Sequence, residues 1–239
     1  MKIASSISLL VGVVWGMSHA VAAPASYTLA YSDNPPFSMT YAGKPQGTVV
    51  NLVSQLFNKA GLSYQLVDVP LARAMMNAQR SERYCVFPVQ RSQAIEAEYQ
   101  WISPILATSS GLFIRPDSPL QFTTLSDAKR LTIGVLRGSG NVEYLRNLGL
   151  NVEEANTQEQ NLDKLFAKRF DVWATDVSSA NFFIRKASNQ GKVPKQALIF
   201  RATLGSLACN IKMPAQDFDK LQSTLDSMIK DGSMQKITH

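Results

Sequence analysis

Tyr27-Thr28-Leu29-Ala30-Tyr31-Ser32-Asp33-Asn34-Pro35-Pro36-Phe37 and, about a hundred residues later, Leu131-Thr132-Ile133-Gly134-Val135-Leu136-Arg137-Gly138-Ser139-Gly140-Asn141 read alike. Each is a mostly apolar strand that runs into a loop of small and polar residues and then toward a helix. Ligands of open α/β sheets bind at loops on the carboxyl ends of strands. Two such loops in two successive sheets predict two lobes with a cleft between them.

The residues around these stretches repeat the strand and helix alternation. Lys44 to Gly47 reads as a turn, and Leu52, Val53, Leu56, Phe57 and Ala60 recur at helical spacing before Gly61. A strand up to Pro70, a helix from Leu71 to Gln79 and a strand from Tyr84 to Val89 follow. Ser109 to Ile114 reads as an extended crossing, with Arg115 to Pro119 as a joint. The second series is strand Leu131 to Val135, helix Val142 to Leu148, helix Gln158 to Lys168 and strand Phe170 to Thr175. Leu198 to Met213 fits a strand that returns to the first lobe, and Phe218, Leu221, Leu225, Met228 and Ile229 form the stripe of a closing helix. The expected class is α/β, each lobe a mostly parallel sheet flanked by helices, with two hinge crossings.

Lys2, the apolar run Ile7 to Met17 and the small-residue site Ala20-Val21-Ala22 read as a cleaved secretory signal over residues 1–22. The other reading is a membrane anchor, but the run is well short of the ~20 residues that span a bilayer. Export of the chain through a cleaved signal is the expectation. The formal charge of +6 is scattered, with no run of five basic residues, so a nucleic-acid partner is not expected. After residue 22 the sole histidine is His239, and neither cysteine has metal-site spacing, so no metal or cofactor is expected. Cys85 and Cys209, in an oxidising compartment, read as a disulfide or as two buried thiols.

The sequence resembles the bacterial extracellular solute-binding proteins of family 3, the two-lobed periplasmic receptors of type II fold. The resemblance rests on Tyr31 to Phe37, Pro70-Leu71-Ala72-Arg73-Ala74, Trp101-Ile102-Ser103-Pro104, Gly134 to Ser139, Phe170 to Asp176 and Lys230-Asp231-Gly232-Ser233. It implies lobes of residues 23–109 with 204–239 and of residues 110–203, closing on a ligand by hinge motion. It also implies a monomer, and a bond between Cys85 and Cys209 on neighbouring strands of one lobe. In amino acid binders of this family an arginine clamps the substrate carboxylate. Counting back from Trp101 puts Ile95 at that position, which removes the bidentate contact.

The candidate ligand contacts are Tyr31 and Asn34 in the first loop, Leu71 and Arg73 at a helix start, Gln90 and Arg91 after a strand, Ser139 and Gly140 in the second loop, and Asp176. Arg73 either meets a bound anion or covers apolar neighbours with its stem. Arg91 replaces the missing clamp only if the backbone differs locally. Ser139 with the free N–H groups of its loop holds an anionic group, or simply caps the helix. Asp176 stands where the family pairs an acid with a substrate amino group, or it caps the helix that follows. Phe37 reads as core. The expected function is capture of a small polar, amino acid-like, anionic or zwitterionic solute for a membrane permease of an ABC-type transporter. A sensory receptor for another membrane protein is the alternative. A dehydratase-like enzyme is a third reading that the lack of histidine disfavours.

Overall fold

In the computed structural model residues 26–187 and 193–238 are described; the expected leader, residues 1–22, lies outside them. Strand β1 (Tyr27–Tyr31) leads through the first loop to a hairpin of β2 (Met39–Tyr41) and β3 (Lys44–Gln46). The expected turn at Lys44 to Gly47 is therefore a strand. The chain reverses instead at Ala42 and Gly43, which both have positive φ, as a two-residue hairpin loop requires. Helix α1 (Thr48–Lys59) buries Val49, Leu52, Val53, Leu56 and Phe57 and stops at Gly61, whose φ of 68° suits the left-handed position after a helix end.

Strand β4 (Tyr64–Asp68), helix α2 (Leu71–Arg80) and strand β5 (Tyr84–Gln90) complete the first α/β unit. The next strand, β6 (Tyr99–Ile114), is sixteen residues long. The second unit follows with β7 (Thr132–Leu136), α3 (Gly140–Asn147), β8 (Asn151–Ala155), α4 (Gln158–Phe166), β9 (Val172–Asp176) and α5 (Val177–Ala187). Strand β10 (Lys195–Asn210) returns, and α6 (Ala215–Lys230) and α7 (Ser233–Thr238) close the chain.

The eight long strands form one continuous sheet in the order β4-β1-β5-β10-β6-β9-β7-β8. Within each half the neighbours β4-β1-β5 and β8-β7-β9 are parallel, whereas β6 and β10 run antiparallel through both halves. These two strands are the crossings, with register shifts in β10 at Ile199/Arg201 and Gly205/Leu207. Arg115 to Pro119 is not a joint: Arg115 donates to the carbonyls of Leu165 and Phe170 and belongs to the second half.

Alternation along each strand gives each half two apolar cores, one per face of the sheet. Leu29, Cys85 and Phe87 pack with α1 and α6, while Ala30 and Val86 face α2. In the second half Ile133, Val135, Val172 and Ala174 form one core, and Trp173 with Phe113 and Phe170 forms the other. Cys85 and Cys209 face each other across β5 and β10 and are disulfide-bonded. Among the described residues no helix is long and apolar enough to cross a membrane.

Candidate functional site

The carboxyl ends of strands from both halves meet around a cavity of about 40 Å³. Its wall is made by the loop after β1, the start of α2, the end of β5, the turn after β7, the end of β9, and Thr108 and Thr203 on the two crossings. Six of the nine expected contacts line it: Asn34, Leu71, Gln90, Ser139, Gly140 and Asp176.

The other three lie elsewhere, each for a local reason. Tyr31 has the same parity as Leu29 on β1, so it points into the core and its hydroxyl meets Thr40 Oγ1 at 2.9 Å. Arg73 is exposed, because α2 turns Leu71, Ala74 and Ala78 inward instead. Arg91 is no substitute clamp: its guanidinium pairs with Glu96 and lies 5.4 Å from the Trp101 ring. Ile95 packs against the α2-side core.

Ser139 occupies the N-cap of α3, yet its side chain makes no capping bond. Its Oγ is buried without a hydrogen-bond partner, as is Asp176 Oδ1. Most buried polar atoms in native proteins are paired, so two orphan oxygens on one cavity mark it as built for a polar guest. Burial raises the Asp176 carboxyl to about 6, and a hydrogen bond from Thr108, the charge of Arg201 and a hydrogen bond from Thr203 counter this only in part.

Arg201 is a residue that the sequence reading missed. It is the one cation in the otherwise apolar or small run Ala197 to Leu204, which is the signal that marks it. Its Nη2 donates to Gln90 Oε1 and to Asn141 Oδ1, both at 2.7 Å, and its guanidinium sits 4.2 Å from the Tyr144 ring centroid. It thus ties the end of β5 to the start of α3. A second tie involves Asn34 Oδ1, which accepts from Ser179 Oγ at 3.0 Å and from Gln158 Nε2 at 3.4 Å. The two halves are therefore closed on each other.

Glycines allow this closeness. A Cβ on Gly138 would stand 3.2 Å from Ala72 N, and one on Gly140 would stand 2.7 Å from Gln90 Oε1 and 2.8 Å from Gln90 Cβ. Gly140→Val is therefore expected to wedge the halves apart. Small-angle scattering should show a larger radius of gyration at nearly unchanged thermal stability; an unchanged radius would refute the wedge.

The sequence model of the bacterial extracellular solute-binding proteins, family 3, matches residues 27–239. No curated protein matches by sequence. Among solved structures, an ancestral arginine-binding protein bound to arginine superposes with a TM-score of 0.78 at 18% identity, over 89% of this chain and 96% of that one. The arginine-, lysine-, histidine-binding protein ArtJ from the thermophilic bacterium Geobacillus stearothermophilus gives 0.80 at 18% identity, over 89% and 93%. A histidine kinase sensor domain with similarity to periplasmic binding proteins gives 0.81 at 18% identity, over 90% and 94%. At such identities these likenesses speak for the two-lobed fold and not for a ligand. With the matching family model covering nearly the whole described chain, the protein belongs to the bacterial extracellular solute-binding proteins of family 3.

Proposed function

We propose that the protein is a periplasmic receptor that closes its two lobes, residues 23–109 with 204–239 and residues 110–203, on a small solute bearing an ammonium group. The observation that carries this is the pair of unpartnered oxygens, Ser139 Oγ and Asp176 Oδ1, on one cavity of about 40 Å³. An ammonium group has three N–H donors and no acceptor, and one of its partners here is a carboxylate. The pairing also removes the cost of an isolated buried charge. Asn34, Gln90 and Arg201 hold the lobes shut around it, and the receptor hands its solute to the permease of an ABC-type transporter.

A membrane sensor is the second reading. Ile95 in place of the carboxylate clamp favours it, because a receptor freed from amino acid uptake has no need of that guanidinium. The likeness to a sensor domain is compatible with it. Affinity capture from membranes separates the two: a permease on the bait supports uptake, and a kinase supports sensing.

The ligand reading is tested by isothermal titration of the purified protein with methylamine, ethylamine, α-amino acids and acetate. Binding of solutes with an ammonium group, and none of acetate, is the expected result. Binding of acetate alone, or of nothing, would overturn it.

A further inference from the structure

A second space lies at the mouth of the cleft, between α2 and α3. It is a groove of about 480 Å³ whose apolar wall is Ala72, Met75, Met76 and Ile95 from the first half and Val142 from the second. Met76 is 49% exposed there and shares the groove wall with Met75 and Ile95. Gln90 and the turn Gly138-Ser139-Gly140 line both the groove and the buried cavity. The partition between them is thus the Gln90 side chain, held by Arg201, beside a turn whose two glycines contribute little bulk.

The charges around the groove point one way. Among the described residues its one lining cation is Arg146, which is paired with Glu154 at 2.8 Å. Glu98 and Glu143 line it as well, and the Glu98 carboxylate accepts from the neutral amide of Gln79. Ile95 is the residue that stands where a carboxylate clamp is expected, and it lines this groove as apolar surface. A carboxylate placed here meets two acids and, among the described lining residues, no unpaired cation, whereas a hydrocarbon meets methionine and isoleucine side chains.

We infer that the groove is the tail subsite of the same ligand, and that the receptor selects primary amines with an aliphatic or aromatic body and no α-carboxylate. This rests on the proposed ammonium site at Asp176. The cavity of about 40 Å³ has room for the head group and a few atoms. The remainder of the molecule passes Gln90 and lies along Met75, Met76 and Ile95. Methionine side chains re-form around bodies of different shape, so the subsite reads apolarity and length more than outline.

The test is calorimetric titration of the purified protein with the n-alkylamines from ethylamine to heptylamine, and with norleucine, which is pentylamine carrying an α-carboxylate. Each methylene that enters the groove is expected to tighten binding about fourfold. Pentylamine should bind at least tenfold more tightly than norleucine. Met76→Ser should weaken heptylamine binding severalfold and flatten the dependence on chain length, and Ile95→Arg should shift preference toward norleucine. If ethylamine binds but the longer amines gain nothing, the tail subsite is wrong and the ammonium site stands. If norleucine equals pentylamine, the exclusion of carboxylates is wrong. If no amine binds at all, both readings fall.

Discussion

Asp176→Asn is expected to raise the melting temperature of the ligand-free protein at pH 7.5 while removing its response to amines. The Asp176 carboxyl is raised from its ordinary 3.8 to about 6, first by burial. A carboxyl whose folded value lies above its unfolded value favours the fold when protonated, below about pH 4. That contribution is lost as pH rises through about 6. Above this range the folded chain holds an incompletely compensated buried charge, at a cost of up to about 3 kcal/mol. Asparagine keeps the shape without the charge.

Wild type and variant should therefore be alike near pH 4 and separate by pH 7.5, with the variant melting up to roughly 10 °C higher for a domain of this size. Urea denaturation at the two pH values measures the gap directly. An ammonium ligand reverses the order, since it stabilises the wild type by mass action and not the variant. Loss of the charged partner should weaken ethylamine binding at least about 30-fold. In the wild type, affinity should be flat between pH 7 and 8 and fall about tenfold per unit well below pH 6, as protons compete for the carboxylate. A variant no more stable than wild type at pH 7.5, with unchanged amine affinity, would remove Asp176 from the site.

Reduction of the Cys85–Cys209 bond should produce the second large effect. The bond joins residues 124 apart in the chain, on adjacent strands of the first half. In the chain-entropy account a loop of that length constrains the unfolded state by about 5 kcal/mol, and measured losses fall at about 2–5 kcal/mol. Both cysteines are fully buried in the core beneath α1 and α6, so the bond is protected until the first half opens. The double variant Cys85→Ala/Cys209→Ala should melt roughly 10 °C lower than the oxidised protein. Oxidised protein unfolded in reductant should show the same deficit on refolding. Two titratable thiols in the denatured, unreduced protein would contradict the bond.

Much of the fold was legible because its elements carry their own periodicity. Leu52, Val53, Leu56 and Phe57 announce α1 at helical spacing, and Tyr84 to Val89 reads as a buried strand. Strand β8 was not legible: Asn-Val-Glu-Glu-Ala has two acids, and its edge position leaves only Ala155 buried. Charged edge strands resist pairing with other chains and so lose the apolar alternation that identifies a strand. The hairpin of β2 and β3 escaped for a similar reason, being mostly exposed.

The site divides along the same line. Asn34, Gln90, Ser139 and Asp176 stand at strand ends, in the loop after a strand or at a helix start, and the family resemblance singled out Asp176. Tyr31 and Arg73 failed on facing: one residue of strand parity sends Tyr31 into the core, and helical phase sends Arg73 outward. Arg91 failed on partnership, because Glu96 and Trp101 already engage its charge. Arg201 was invisible as a tie until β10 brought it beside Gln90 and Asn141.

By itself the sequence determined the two strand-to-loop stretches and the alternation around them, whereas the reading of Ile95 in place of a carboxylate clamp came from the family resemblance. The stretches and their alternation are properties of neighbouring residues and of local period. Only the tertiary structure decided that Ser139 and Asp176 each bring an unpartnered oxygen to one cavity, and that an apolar groove adjoins it. The physical reason is that pairing of buried polar groups depends on distance and direction in space. Two long antiparallel strands set these when they fold one half of the sheet against the other.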